Sequence, residues 1–167
     1  EPEVTFNEGS QDIDFRVESN ANQYQLYVDA GVPFVGISSI NSAVSQSVNG
    51  GDIPAFQIKG TTSGTSSTLL SRHANDGNGP ILFMYKSRNG TPGSNTILND
   101  GDQCGNITFM ADDGTDGNSQ IARIHTAIDG TPGANDTPGR MVFMTTPDGA
   151  QAALERMRIS NAGDIAI

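Results

Sequence analysis

The sequence predicts an all-β chain of short antiparallel strands, and three observations carry that expectation. Apolar and polar residues alternate with period two over short runs, as where Ile13, Phe15 and Val17 interleave with Asp14, Arg16 and Glu18. Turn formers punctuate those runs every few residues, with 20 Gly and 8 Pro in 167 residues. Apolar residues make up only 35 % of the chain, with no Trp, below the share of about 45–50 % usual for a globular domain. Such a chain has little with which to fill a private core, so it is expected to bury its strands against other copies of itself.

Taken in order, residues 1–11 are polar and read as a lead-in to a half-buried strand over 13–18. After the loop Ser19-Asn20-Ala21-Asn22, Tyr24, Leu26 and Val28 alternate with Gln25 and Tyr27. Asp29-Ala30-Gly31 then turns the chain into a strand ending at Ile37. Residues 38–51 are rich in Ser, Asn and Val and read as a linker or wrapping segment. Phe56 and Ile58 open a second unit, and 61–68 is low-complexity Ser, Thr and Gly.

Three runs share an apolar-x-Phe-Met pattern and each reads as a strand: Ile81-Leu82-Phe83-Met84, Ile107-Thr108-Phe109-Met110 and Met141-Val142-Phe143-Met144. Two loops match as well, Asn89-Gly90-Thr91-Pro92-Gly93 and Asp129-Gly130-Thr131-Pro132-Gly133. Residues 119–128 fit either period, and their branched side chains favour strand. Residues 151–154 fit a short helical turn and no more. Strands of this length cannot bury both faces alone, so the central unit is expected to pack face to face, sandwich-like, or about a symmetry axis.

The last twenty-eight residues organise the chain. A strand over 141–146 meets the turn Pro147-Asp148-Gly149, and Met157 and Ile159 then alternate with Arg156, Arg158 and Ser160. Asn161-Ala162-Gly163 turns into the terminal Asp164-Ile165-Ala166-Ile167. Residues 26–37 follow the same grammar as 157–167, so the two form an internal repeat. The final apolar strand reads as an edge that needs a partner, and the absent initiator Met as the mark of a piece of something longer. The expected units are 1–50, 51–154 and 155–167.

Charge and composition exclude several function classes. The formal net charge is −10, with 19 acids against 9 bases, which opposes nucleic-acid phosphates and anionic membrane surfaces. No apolar run approaches the length of a membrane span, and the first residues are no signal peptide. Cys104 is alone, which excludes an internal disulfide or a thiolate metal site.

No nucleophile, base and acid stand together, and nothing places two carboxylates across a groove for glycan cleavage, so no enzyme is expected. His73 and His125 lack flanking ligands and read as packing or surface residues; the alternative is one inward His per chain around a shared metal. The weak Ca²⁺ candidate is Asp112, Asp113, Asp116 and Asn118 on a Gly-rich loop, although turn chemistry explains the same residues and no cofactor is expected. Tyr24, Tyr27 and Tyr85 are the candidates to stack on sugars, while a Tyr on a half-buried strand more often packs in a core.

Residues 135–146, Asn-Asp-Thr-Pro-Gly-Arg-Met-Val-Phe-Met-Thr-Thr, are followed by Glu155-Arg156-Met157-Arg158-Ile159 and Asn161-Ala162-Gly163. This order resembles the distal shaft of tailed-bacteriophage tail fibres and related virion appendages, where it commonly lies ahead of a self-cleaving intramolecular chaperone domain. Ala122-Arg123-Ile124 with Ile128-Asp129-Gly130 matches what often precedes it, and residues 14–37 resemble repeats of phage fibre proteins. The resemblance covers 12–37 and 81–167.

It implies an intertwined homotrimeric β fibre on the outside of a virion, with host attachment as its role. Its partners would be two sister chains, other virion proteins and a host-surface glycan or protein. Arg156 and Arg158 would fix register by pairing with acids of a neighbouring chain. The alternatives are a capsid decoration or head fibre, and a glycan-cleaving tail spike.

Overall fold

Period-two alternation becomes a strand wherever a second strand is available to accept its main-chain hydrogen bonds. A computed structural model describes residues 13–29, 31, 34–38 and 46–167, and these form an all-β chain with one short 3-10 turn. The chain divides into two units, Glu1–Pro80 and Ile81–Ile167. The boundaries expected at 50 and 154 each fall within a unit. The expected lead-in, the turn residue Ala30 and most of the 38–51 linker lie outside the described residues.

In the first unit, β1 (Phe15–Ser19), β2 (Asn22–Asp29), β3 (Phe34–Ser38) and β4 (Phe56–Lys59) form one sheet in chain order. The first two pairings are antiparallel and β3 with β4 is parallel. That parallel pair departs from the expected antiparallel pattern, and the long connection before Phe56 supplies the crossover it needs. Phe15, Val28, Val35 and Phe56 stand in register across the four strands, and Val17, Leu26, Ile37 and Ile58 form the adjacent row on the same face.

The opposite face carries Arg16, Tyr27, Gly36 and Gln57. Tyr27 is 6 % exposed and its hydroxyl donates to Asp14 at 2.7 Å, with Asp29 at 3.2 Å. Burial first, and then Asp14, push its ionisation well above the ordinary tyrosine value. Gln57 is also buried and fully engaged: its oxygen accepts from the Gln46 amide, and its nitrogen donates to the carbonyls of Gln46 and Pro54. Gly60 permits the 3-10 turn Ser63–Ser66 to fold back, because a Cβ there would lie 2.5 Å from the Thr65 main chain.

In the second unit, β5 (Gln103–Ala111), β6 (Ser119–Ile128), β7 (Gly139–Thr145), β8 (Leu154–Ile159) and β9 (Ile165–Ala166) form an antiparallel meander. Three rows cross its apolar face. They are Phe109, Ala122, Thr145 and Leu154; Ile107, Ile124, Phe143 and Met157; and Gly105, Thr126, Met141, Ile159 and Ile165. The other face carries Asn106, His125, Val142 and Arg158 in one row, and Thr108, Arg123, Met144 and Glu155 in the next. Bulges at Cys104, Ile121 and Arg156 each insert one unpaired residue without breaking these rows.

The internal repeat proves to be a repeated hairpin. Val28 opposite Val35 and Tyr27 opposite Gly36 recur as Ile159 opposite Ile165 and Arg158 opposite Ala166. Three expectations differ. Residues 81–84 are not a strand, because no strand among the described residues pairs with them. Among the described residues neither unit contains a second sheet, so the sandwich-like packing expected of the centre is not found there. Residues 151 and 152 form a bend rather than a helical turn.

Val142 is 1 % exposed and sits at the middle of the five-stranded sheet. Val142→Ala is expected to lower stability by about 1–3 kcal/mol with unchanged denaturant slope, read from a urea midpoint. A loss below about 0.5 kcal/mol, the size of an ordinary surface change, would contradict that packing role.

Candidate assembly faces

The geometry that the rows create is a pair of apolar faces with little to cover them. Among the described residues the buried apolar side chains are Tyr27, Ala127, Ile128, Val142 and Ala153. Phe15, Val17, Ile37 and Phe56 on the first sheet are exposed, as are Ile107, Phe109, Met141 and Ile165 on the second. Burying one such side chain is worth about 1.5–3 kcal/mol, and the whole margin of a folded domain is about 5–15 kcal/mol. A one-layer sheet forgoes that gain on its apolar face. The faces are therefore built for contact.

The polar face of the second sheet gathers Arg123, His125, Arg140 and Arg158, a local reversal of the chain's acidic balance. Arg158 makes a two-point pair with Glu155, at 2.6 and 2.8 Å. In a regular strand residues three apart point to opposite faces, and the bulge at Arg156 brings these two together. Arg140 donates to Asp129 at 2.9 Å and to the Ile128 carbonyl at 3.1 Å. The second Asp129 oxygen accepts from the Asn161 amide at 3.0 Å, so one carboxylate joins the Gly-Thr-Pro-Gly loop, β7 and the last turn. That amide first, and then Arg140, hold the Asp129 carboxyl below its ordinary value.

Arg123 and Arg156 meet no carboxylate among the described residues. Arg123 reaches the Met144 sulfur at 3.2 Å while its Nε is buried without a partner, and Arg156 donates to Thr145 Oγ1 at 3.0 Å. His125 Nδ1 is likewise buried and unpartnered. Burial, and next the positive charge of Arg123, Arg140 and Arg158, push its ionisation down, against a smaller opposing pull from Glu155. Of the two arginines expected to bind a neighbouring chain, Arg158 already has a carboxylate of its own.

The other sequence candidates are dispersed. Tyr24 and Tyr27 meet edge to face at 5.4 Å, with the Arg16 guanidinium 5.4 Å from the Tyr24 ring. Tyr27 is a packing residue with no ring face for a sugar. Tyr85 is 77 % exposed and donates to Asn95 Oδ1 at 2.8 Å. The four acidic-loop residues do not form a cradle. Asp112 accepts from the Gly114 amide, Asp113 from Thr115 and Asp116, and Asp116 from Asn118, at 2.7–3.2 Å. Main-chain turn bonds thus take one oxygen of each of the three Asp carboxylates, and among the described residues no group of three His, Cys, Asp or Glu gathers as a metal site. His73 lies exposed in the irregular segment before residue 81. A pair missed by the sequence reading, Arg88 with Asp102, closes the loop between two residues fourteen apart. Only its spatial neighbours reveal it.

No protein-family model matches the chain, and no curated protein sequence matches it. Among solved structures it is similar to the carboxy-terminal domain of the bacteriophage T5 L-shaped tail fibre, at 18 % identity and a TM-score of 0.47. The likeness covers 59 % of this chain and 36 % of that one, so the chain spans about a third of the length of that domain.

A pH dependence follows from the polar face. The depressed His125 value means that the unfolded chain takes up this proton first as pH falls. Its contribution is therefore complete above about pH 6.5 and is lost as pH drops through the lower folded value. The urea midpoint is expected to fall between about pH 7 and 5, and His125→Gln to flatten that part of the profile. The carboxylates of Asp129 and Glu155, held down by their partners, add a separate loss only below about pH 4. An unchanged profile in His125→Gln would contradict this assignment.

Proposed function

We propose that this chain is a structural and adhesive segment of a phage-type tail fibre, assembled as a homotrimer, carried outside the virion and engaged in host attachment. The observation that carries the reading is the pair of sheets, each with an apolar face in register and largely uncovered. Copies of the same chain supply matching faces in equal number. The order of motifs over residues 135–163 supports the class of protein. Arg123 and Arg156 are left for carboxylates of neighbouring chains, which the surplus of acids provides.

Such a segment works mechanically and by multiplicity. Three weak attachment sites on one rigid stem act together, because the second and third bind at high effective concentration. The role is structural rather than enzymatic, with loops and exposed rings such as Tyr85 as the contact chemistry for a host glycan or protein.

Light scattering should give three times the 17.5 kDa chain mass. Phe109→Asp on the apolar face should reduce that mass, whereas Thr108→Asp, the next residue but on the polar face, should not. A single-chain mass for the unsubstituted protein would overturn the proposal. The attachment role is tested by adding purified protein to virions and host cells, where reduced virion adsorption is expected and undiminished adsorption at saturating protein would count against it.

A further inference from the structure

Residues 81–85 read Ile-Leu-Phe-Met-Tyr and begin with the first of the three apolar-x-Phe-Met runs. The other two runs lie in β5 and β7, where Phe109 and Phe143 face the apolar side of the sheet. The first run has the same strand-forming composition, no charge and no Gly or Pro. Yet among the described residues no main-chain N–H or C=O of residues 81–85 is hydrogen-bonded.

Its position is nonetheless defined. Leu82 and Met84 line one open pocket with Gly105, Ile107, Ile124 and Met141 of the apolar face. Gly105 makes that approach possible, since a Cβ there would lie 2.8 Å from Met84 Sδ and 2.9 Å from Met84 Cβ. Alternation turns Phe83 and Tyr85 the other way, and Phe83 is 83 % exposed. Met84 is thus held on the face of its own sheet, and the run pairs with neither edge of that sheet.

Those edges are β5 and β9, and β9 has only 2 residues against 9 in β5. A long open edge accepts an extended segment main chain to main chain. We infer that residues 81–85 of one copy pair as an added strand with the outer edge of β5 in a second copy. This rests on the assembly of copies proposed above. The second copy is the fitting occupant because each chain supplies one unpaired run and one open edge carrying the same motif, so donors and acceptors balance among copies. A foreign strand on β5 would leave every chain's own run unused. The contact is head to tail, the kind that closes into a ring when the rotation repeats.

Hydrogen exchange on the assembled, full chain tests the pairing. Alternate amides of residues 81–85, those turned toward β5, have no acceptor among the described residues of their own chain and should exchange about 100-fold or more slower than an unstructured peptide. Of Phe83→Pro and Met84→Pro, the one that removes an N–H turned toward β5 should lower the mass seen by light scattering, whereas Phe83→Ala keeps the main chain and should retain the slow exchange. Slow exchange in β6 and β7 of each variant checks that the sheet has formed. Where a Pro variant fails that check, the unsubstituted assembly decides. Random-coil exchange throughout 81–85 in a protein of multi-chain mass overturns this pairing and leaves the assembly intact. A single-chain mass overturns both.

Discussion

Everything in this protein follows from one constraint: a single-layer sheet has two faces, and strict alternation has made one of each pair apolar. Phe15, Val28, Val35 and Phe56 share a row, as do Ile107, Ile124, Phe143 and Met157. Among the described residues no second sheet covers these rows within either unit, and Met84 meets the second face at Gly105. The hydrophobic driving force that normally folds a chain onto itself is here directed outward. In the proposed assembly, folding and association become one equilibrium, and the stability of the chain depends on its concentration.

The rest of the structure keeps those rows aligned. Bulges at Cys104, Ile121 and Arg156 absorb one residue each, so that a register slip does not throw the apolar set onto the wrong face. Polar groups that would otherwise be stranded on the opposite face are engaged locally, as Gln57 and Tyr27 are in the first sheet and Asp129 in the second. The repeated hairpin, with the same register at Val28 and Val35 as at Ile159 and Ile165, shows one solution used twice.

How much of this was legible depended on range. The strands β5 to β8 and both hairpins could be read because alternation and turn chemistry are local. The 81–84 run carries the same local pattern as β5 and β7, yet a pattern specifies a face and not a partner, so the run reads as a strand where none forms. The parallel pairing of β3 with β4 joins segments far apart in the chain and leaves no local trace. Asp112, Asp113 and Asp116 cluster on a Gly-rich loop that suits either a cation or a turn, and only the structure shows main-chain amides bent toward one oxygen of each. Within its own chain Arg158 pairs with Glu155, which shares a face with it solely through a bulge that no composition rule announces.

The Asp129 junction has a mechanical consequence. Tension applied from residue 167 meets β9 first, a strand held by only the pairs at Arg158 and Ile159, which open one after the other like a zip. It then reaches Asn161, whose amide is held by Asp129, itself clamped by Arg140 on β7. At that point the load must be shared with the middle of the sheet instead of peeling its rim. One carboxylate thus divides the hairpin into a compliant tip and a stiff base, and a pull that loosens the tip leaves the stem standing.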